Sequence, residues 1–300
     1  MIELLGYPFM QRALLAGALI GIVCAVIGTY VVLKGLSFIG AGIAHASFGG
    51  VALGFLLNVN PVWTAVIFCL GTAWGIGLVA RKGQVKEDTA VGVFFASTMA
   101  FGILVIGLMH GYNVDLFGYL FGSIVAVSRS DVWMILGLSA TVLFLVLVFF
   151  KELLFVTFDA EMAAVTGVPA GRIYFLLISL MAITVVLSIK VVGIVLVSAL
   201  LVTPAAAAYQ MTENFRRMMA LAILIGLCSS VGGLLLSWKL DTAPGATIVL
   251  VSTLIFFLAA SVSPRRRGFR TSSSINSGRP VSTRKPSEQQ IPRSALAPRQ

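Results

Sequence analysis

One of the two histidines, His45, lies in a long apolar stretch in which no charged residue occurs between Lys34 and Arg81. Imidazole binds transition metals, and a polar side chain at membrane depth is costly and usually faces a pathway or a bundle interior. Small residues recur at every fourth position around it, namely Gly42, Ala46, Gly50 and Gly54. We expect this helix face to pack closely on another helix. His45 then either faces a metal pathway or makes an interhelical hydrogen bond, and the spacing leaves both open.

A second informative stretch is FDAEMAAVTGVPAGR, residues 158–172. Asp159 can cap a short helix with Glu161 in its first turn, and Gly167 would end it. Alanines such as Ala164 keep the helix surface small. A short helix between two membrane spans suits docking into a groove of another subunit, with an ordinary interfacial loop helix as the alternative.

Two further pairs of residues are weaker candidates. His110 and Asp115 follow the end of an apolar run and could hold an ion at the outer mouth, or they could be solvated or cap a helix end. Thr203-Pro204 interrupts another apolar run, where a proline removes a backbone donor. We expect a hinge or a lining of the pathway there, with a packed static kink as the alternative.

Composition identifies the class of protein that must position these residues. The 300 residues are 59% hydrophobic and 11% charged with a mean hydropathy of +1.02, as expected of an all-α polytopic membrane protein. The chain has no HExxH, GxSxG or GxxxxGK(S/T) sequence, so the motifs do not predict an enzyme. ATP hydrolysis would need a separate subunit. The positive charge is concentrated in the last residues, which argues against nucleic-acid binding.

The apolar runs predict about nine transmembrane helices, with eight to ten compatible with the pattern. The expected spans are 13–33, 37–57, 63–80, 89–109, 132–150, 173–189, 191–211, 218–238 and 247–262. Lys190 alone separates the sixth from the seventh. Residues 116–128 are apolar but short and glycine-interrupted, so we expect a re-entrant or interfacial piece there.

The distribution of Lys and Arg sets the expected orientation. The richer side contains Lys34, Arg81, Arg172 and Arg216, and we take it as cytoplasmic. This places the C-terminus inside. Residues 1–264 would form the membrane domain, and residues 265–300, rich in Ser, Pro and Arg, would form a basic disordered cytoplasmic tail. That tail either meets anionic lipid headgroups or has no function.

The order of several separated motifs carries a resemblance over residues 1–264: SFIGAGIAHASFGGVALG, DLFGYLFG, FDAEMAAVTGV, VVGIVLVSALLVTPAAAA and LDTAPGATIVL. The chain resembles the permease subunit of bacterial ABC importers for zinc, manganese and iron. The resemblance implies a homodimer in the bacterial cytoplasmic (inner) membrane that binds no permanent cofactor. ATP would bind to cytoplasmic ABC ATPase subunits, an extracytoplasmic metal-binding protein would deliver the ion, and Asp159–Gly167 would be the coupling helix.

The chain departs from this family pattern at Ala41, where the family usually has an aspartate one helical turn before the histidine. Loss of a hard oxygen ligand favours borderline ions such as Zn²⁺ over Mn²⁺. We therefore expect zinc as the transported ion, with manganese or iron as the alternative. Remoter alternatives are a secondary transporter, which would need coupling carboxylates in its spans, and a non-transporting membrane scaffold.

Overall fold

Residues 7–83, 85–109, 115–123 and 127–263 are described by a computed structural model of the chain. Over these residues the chain forms twelve helices, and nine of them are long and apolar enough to cross a membrane. The nine are α1 (Pro8–Lys34), α2 (Ser37–Leu56), α3 (Pro61–Lys82), α4 (Glu87–Leu108), α6 (Arg129–Val148), α9 (Ala170–Val192), α10 (Ile194–Met211), α11 (Phe215–Leu240) and α12 (Pro244–Val262). Three short helices complete the set: α5 (Asp115–Phe121), α7 (Phe150–Phe158) and α8 (Ala160–Val165).

Successive long helices run in opposite directions, so the bundle has two ends. We call the end at which α1 finishes the Lys34 end, and the opposite end, at which α9 finishes, the Lys190 end. Contacts across the bundle agree with this pairing, because Lys34 meets α7 at one end and Lys190 meets α6 at the other. Helices α7 and α8 therefore lie at the Lys34 end, and α5 contacts α9, α10 and α12 near the Lys190 end.

Burial divides the long helices into two groups. Helices α1, α2 and α9 are the most buried, whereas α4, α6 and α12 are the least. The less buried helices expose large apolar side chains, including Leu104, Trp133, Phe144, Leu147, Leu250 and Phe257. Such a surface suits lipid, since an acyl environment accepts apolar side chains that water would not. The His45 helix, α2, therefore lies in the interior of the bundle.

The all-α polytopic fold with about nine spans is confirmed, but three boundaries differ from those expected. Lys190 does not separate two spans: α9 continues to Val192, and the break falls at Gly193, whose φ of +89° ends the helix. Thr203-Pro204 does not interrupt its span, because α10 is continuous from Ile194 to Met211 with Pro204 inside it. Because proline has no backbone N–H, α10 lacks one backbone hydrogen bond at Pro204, and a helix packed among other helices tolerates this loss.

The third difference concerns the polar connection after the fifth span. Residues 150–158 are helical, so only Phe149 separates α7 from α6. The expected short helix at 159–167 is α8, in which Asp159 is the N-cap residue and Gly167 follows with φ of +89°. The expected short apolar piece at 116–128 contains α5. The proposed tail, residues 265–300, lies outside the described residues.

Candidate metal pathway and coupling helix

Helix α2 lies between α3 and α4 with very little space on either side. A Cβ atom added at Gly50 would be 2.7 Å from the Cα of Ala65 in α3, and one at Gly42 would be 2.7 Å from a methyl carbon of Val91 in α4. Added at Gly54, it would collide with Pro61 and Thr64. The small residues thus allow the backbones of α2 and α3 to touch, and Ala46 is fully buried beside them.

The side chain of His45 is half-buried and has a defined orientation. Its Nδ1 lies 3.0 Å from the carbonyl oxygen of Ala41, one helical turn earlier, and its ring centroid is 4.5 Å from that of Phe95 in α4. A carbonyl oxygen can only accept, so Nδ1 donates. In the neutral imidazole this leaves the Nε2 lone pair available, which is how a backbone carbonyl prepares a histidine for a metal ion.

Accessibility along α2 follows one line of residues. Phe38 is exposed and Ala41 and His45 are half-buried, whereas the residues between Ala41 and His45 and those from 46 to 52 are buried. The spacing of these three residues places them on one helix face. The imidazole therefore lies on the accessible face of an otherwise buried helix, and Ala41 contributes to that face a methyl group where an aspartate would offer oxygen ligands.

Among the described residues, His45 belongs to no cluster of metal-binding side chains. In the described ranges, no three His, Cys, Asp or Glu side chains come close enough to share a metal ion. His110 lies outside the described residues, and although Asp115 begins α5, the position of its side chain is not described. The pair expected at the outer mouth therefore stays a prediction.

Thr203 is half-buried and Pro204 is buried within α10.

Helix α8 is a six-residue helix at the Lys34 end. The carboxylate of Asp159 accepts hydrogen bonds from the backbone N–H groups of Glu161 (3.1 Å) and Met162 (2.9 Å), which caps the helix. Ala163 is fully buried against the bundle, while Met162 and Val165 are exposed. One side of α8 therefore packs on the bundle, and the opposite side is exposed and largely apolar. Glu161 and Ala164 are also exposed.

A buried ion pair at the Lys190 end was not foreseen from the sequence. The ammonium of Lys190 in α9 lies 2.7 Å from a carboxylate oxygen of Asp131 in α6, and the Asp131 side chain is 5% exposed. Asp131 also belongs to a capping box with Ser128 at the start of α6. The Ser-x-x-Asp pattern could have revealed the cap, but no local pattern links positions 131 and 190.

Backbone contacts surround this ion pair. The backbone N–H of Ser123 donates to the carbonyl of Lys190 at 3.1 Å. Three glycines, Gly122 after α5, Gly193 between α9 and α10, and Gly245 in α12, leave no room for a Cβ atom, because each faces the backbone of another segment. Three segments, namely the end of α5, the α9–α10 junction and the start of α12, are therefore joined at the Lys190 end through main-chain atoms.

The nine long apolar helices in the described part of the chain are those of a multi-pass membrane protein. Comparison with known proteins gives the family: the sequence profile of the ABC 3 transport family matches residues 6–263, so the chain belongs to that family. The resemblance noted from the motifs is thus confirmed.

Individual relatives agree. A manganese transport system membrane protein of Halalkalibacterium halodurans is 41% identical over 264 residues, which are 88% of this chain and 90% of the relative. A chelated iron transport system membrane protein of Yersinia pestis is 34% identical over 86% of either chain. The solved structure of PsaBC from Streptococcus pneumoniae in complex with Fab has a TM-score of 0.82 at 34% identity, covering 90% of this chain and 98% of that one. The chain is thus a metal ABC importer permease.

Proposed function

We propose that this chain is the permease subunit of an ATP-driven importer that carries a divalent transition-metal ion across the bacterial cytoplasmic membrane. It would act as a homodimer with two cytoplasmic ABC ATPase subunits and an extracytoplasmic metal-binding protein. The Lys34 end and the C-terminus would be cytoplasmic, because Lys34, Arg81, Arg172 and Arg216 lie at that end. Support comes from the family and from the arrangement of His45 and α8.

The observation that carries the proposal is the orientation of His45. Its Nδ1 donates to Ala41 and its ring lies on the accessible face of α2, so Nε2 can receive an ion that travels along that face. Two copies of His45 in a homodimer could share one ion. A site with so few ligands would bind briefly, and conduction requires an ion to leave as readily as it enters. Capture affinity would then belong to the delivering protein.

Manganese is the first candidate for the ion and zinc the second. A relative with 41% identity is a manganese transport protein, so the comparisons do not support the zinc preference drawn from the sequence. Zinc stays a candidate because of one observation, the absence of an oxygen-bearing side chain at position 41 beside the imidazole. Imidazole alone suits Zn²⁺ better than Mn²⁺, which prefers carboxylate and water oxygens.

Helix α8 is proposed as the coupling helix that receives the ATPase stroke. Its capped start at Asp159 fixes its direction, and Phe158, Met162 and Val165 form an exposed apolar surface. Such a surface on a short, anchored helix suits the groove of a partner subunit. The packing role of Gly42, Ala46, Gly50 and Gly54 and a hinge at Thr203-Pro204 are proposed alongside it.

Uptake of radioactive manganese, zinc and iron tests the proposal in cells that lack their own importers and express the permease with its cognate ATPase and binding protein. We expect His45→Ala to reduce uptake at least about tenfold at unchanged membrane abundance. Phe38→Ala, on the same accessible face but without a ligating atom, is the control and should retain uptake. Equal uptake by wild type and His45→Ala would contradict a pathway through His45.

A second variant separates the two candidate metals. Ala41→Asp adds a carboxylate one turn from the imidazole on the accessible face. We expect it to raise the ratio of manganese to zinc uptake, since the new ligand is a hard oxygen. An unchanged ratio would place metal selection in the delivering protein.

A further inference from the structure

Lys34 makes a contact that joins the two parts of the proposed mechanism. Its ammonium donates a 2.8 Å hydrogen bond to the backbone carbonyl of Val156, and the Lys34 side chain is half-buried. Val156 lies in the last turn of α7, and only Asp159 separates α7 from α8. The contact therefore connects the end of α1 with the segment that carries α8.

The contact suits both partners chemically. The carbonyl groups in the last turn of a helix lack intrahelical donors, and a positive charge there is favourable for the helix dipole. The Lys34 ammonium supplies both a donor and a charge to α7. It also lines a recess of about 610 Å³ together with Ala160, Glu161 and Ala164, so it lies beside α8 as well as α7.

On its other side, Lys34 is joined to the His45 helix by a very short turn. Gly35, with φ of +74°, and the buried Leu36 are the only residues between α1 and α2. The backbone N–H groups of both donate back to α1, which fixes the turn. His45 follows Ser37 by eight positions, a rise of about 12 Å along a helix. Lys34 is thus separated from the first residue of α2 by only two residues with a fixed backbone.

We propose that Lys34 is the positioning residue that transmits movement of α8 to α2, through its hydrogen bond to Val156. When the ATPase moves α8, the last turn of α7 moves with it, and the bound ammonium carries the α1–α2 turn along. The face of α2 that bears His45 shifts in response. This proposal rests on the proposed roles of α8 and His45 and adds to them the connection between the two.

The test uses the complete complex of permease, ATPase and metal-binding protein in lipid nanodiscs. Lys34→Met keeps the apolar stem but removes the donor, and Lys34→Arg restores a charged donor. Lys82→Met is the matched control, because Lys82 is exposed at the same end of the bundle and has no hydrogen bond or ion pair in the part of the chain that the structure describes. Basal ATP hydrolysis, hydrolysis stimulated by the metal-loaded binding protein, and metal uptake in proteoliposomes are measured for each variant.

For Lys34→Met we expect basal hydrolysis within about twofold of wild type and a loss of stimulation and uptake of about fivefold or more, the usual range of coupling between sites. Lys34→Arg should recover most of both, and Lys82→Met should match wild type. Full stimulation and uptake by Lys34→Met would overturn the proposal. An equal fall of basal and stimulated hydrolysis, with a lower melting temperature, would also overturn it, by showing a purely structural role.

Failure of the proposed function would look different. It would appear in the wild-type complex as absence of metal uptake, or in His45→Ala as full uptake, whatever the behaviour of the Lys34 variants. The Lys34 comparison is made only within a wild-type complex that transports metal, so the two ideas are tested separately.

Discussion

At the Lys190 end, main-chain atoms of three segments touch and a buried ion pair joins α6 to α9. At the Lys34 end, the helices meet through single side chains: Lys34 on Val156, Tyr174 on Glu87, and the guanidinium of Arg81 over the Tyr174 ring. In the described part of that end, Lys34, Arg81 and Arg172 form no ion pair. Backbone contacts cannot be exchanged without moving whole segments, whereas single hydrogen bonds can. We therefore expect the Lys190 end to be the more rigid of the two and the Lys34 end to rearrange more readily.

The largest effect should come from Gly193→Ala. Gly193 has φ of +89°, and an added Cβ would run into the carbonyl of Leu120. Strained backbone and overpacking together should lower the free energy of unfolding by roughly 2–5 kcal/mol. Membrane abundance and the melting temperature of the purified protein measure this. Gly137→Ala, at an open position of α6, is the control and should be neutral or slightly stabilising. Normal stability of Gly193→Ala would mean that this end is looser than described.

Removal of the ion pair should come next. Asp131→Asn leaves the Lys190 ammonium without its counter-ion, and we expect a loss of about 1–3 kcal/mol. The loss stays below that of a fully buried pair because the Lys190 side chain is 21% exposed. A double-mutant cycle with Lys190→Met, read by thermal unfolding, isolates the interaction. Strictly additive effects of the two substitutions would show that the pair contributes nothing to holding this end.

At the Lys34 end, Asp159→Ala should act on coupling more than on stability. It removes the cap of α8, which costs that helix about 1 kcal/mol, and α8 is too exposed to change global unfolding much. We expect reduced stimulation of ATP hydrolysis by the binding protein with an almost unchanged melting temperature. Asp159→Ser keeps an N-cap oxygen and should behave like wild type. An equal loss of stimulated ATP hydrolysis in Asp159→Ala and Asp159→Ser would show that coupling does not depend on the N-cap hydrogen bonds.

The smallest effect should be that of Tyr174→Phe. It removes one hydroxyl, which donates to the partly exposed carboxylate of Glu87 at 3.1 Å, and water can replace it there. We expect a loss of at most about 1 kcal/mol in unfolding experiments. A loss larger than that of Asp131→Asn would reverse the comparison between the two ends.

The number and order of spans could be predicted from sequence because apolar runs of membrane length are a strong signal. The predicted boundaries differ from the structure where a charged residue or a proline lies inside a helix. The pattern predicts a break at Lys190, yet its charge is paired with Asp131, which is distant in sequence, and the helix continues past it to Val192. Pro204 predicts an interruption, yet α10 continues through it from Ile194 to Met211. At Lys190, a contact between residues distant in sequence thus overrides a local rule.

For the candidate site, the sequence indicates His45 and its small neighbours as candidates, but it does not indicate which imidazole nitrogen is hydrogen-bonded. The bond from Nδ1 to Ala41 depends on the rotamer of His45, which no spacing specifies. The contact of Lys34 with Val156 joins positions far apart in the chain. Residue types therefore indicate the candidate residues, whereas the hydrogen bonds of His45 and Lys34 are seen only in the three-dimensional structure.

The glycine contacts at the Lys190 end also bear on how the protein is made. Gly122, Gly193 and Gly245 come from segments that leave the ribosome at very different times, and α12, which carries Gly245, is the last of the described helices to be synthesised. Contacts between distant parts of a chain cannot form before the later part exists. The Lys190 end therefore closes only after α12 has been inserted. In a nascent permease that stops short of α12, the α9–α10 junction can contact α5 but lacks the packing of Gly245 on Val192.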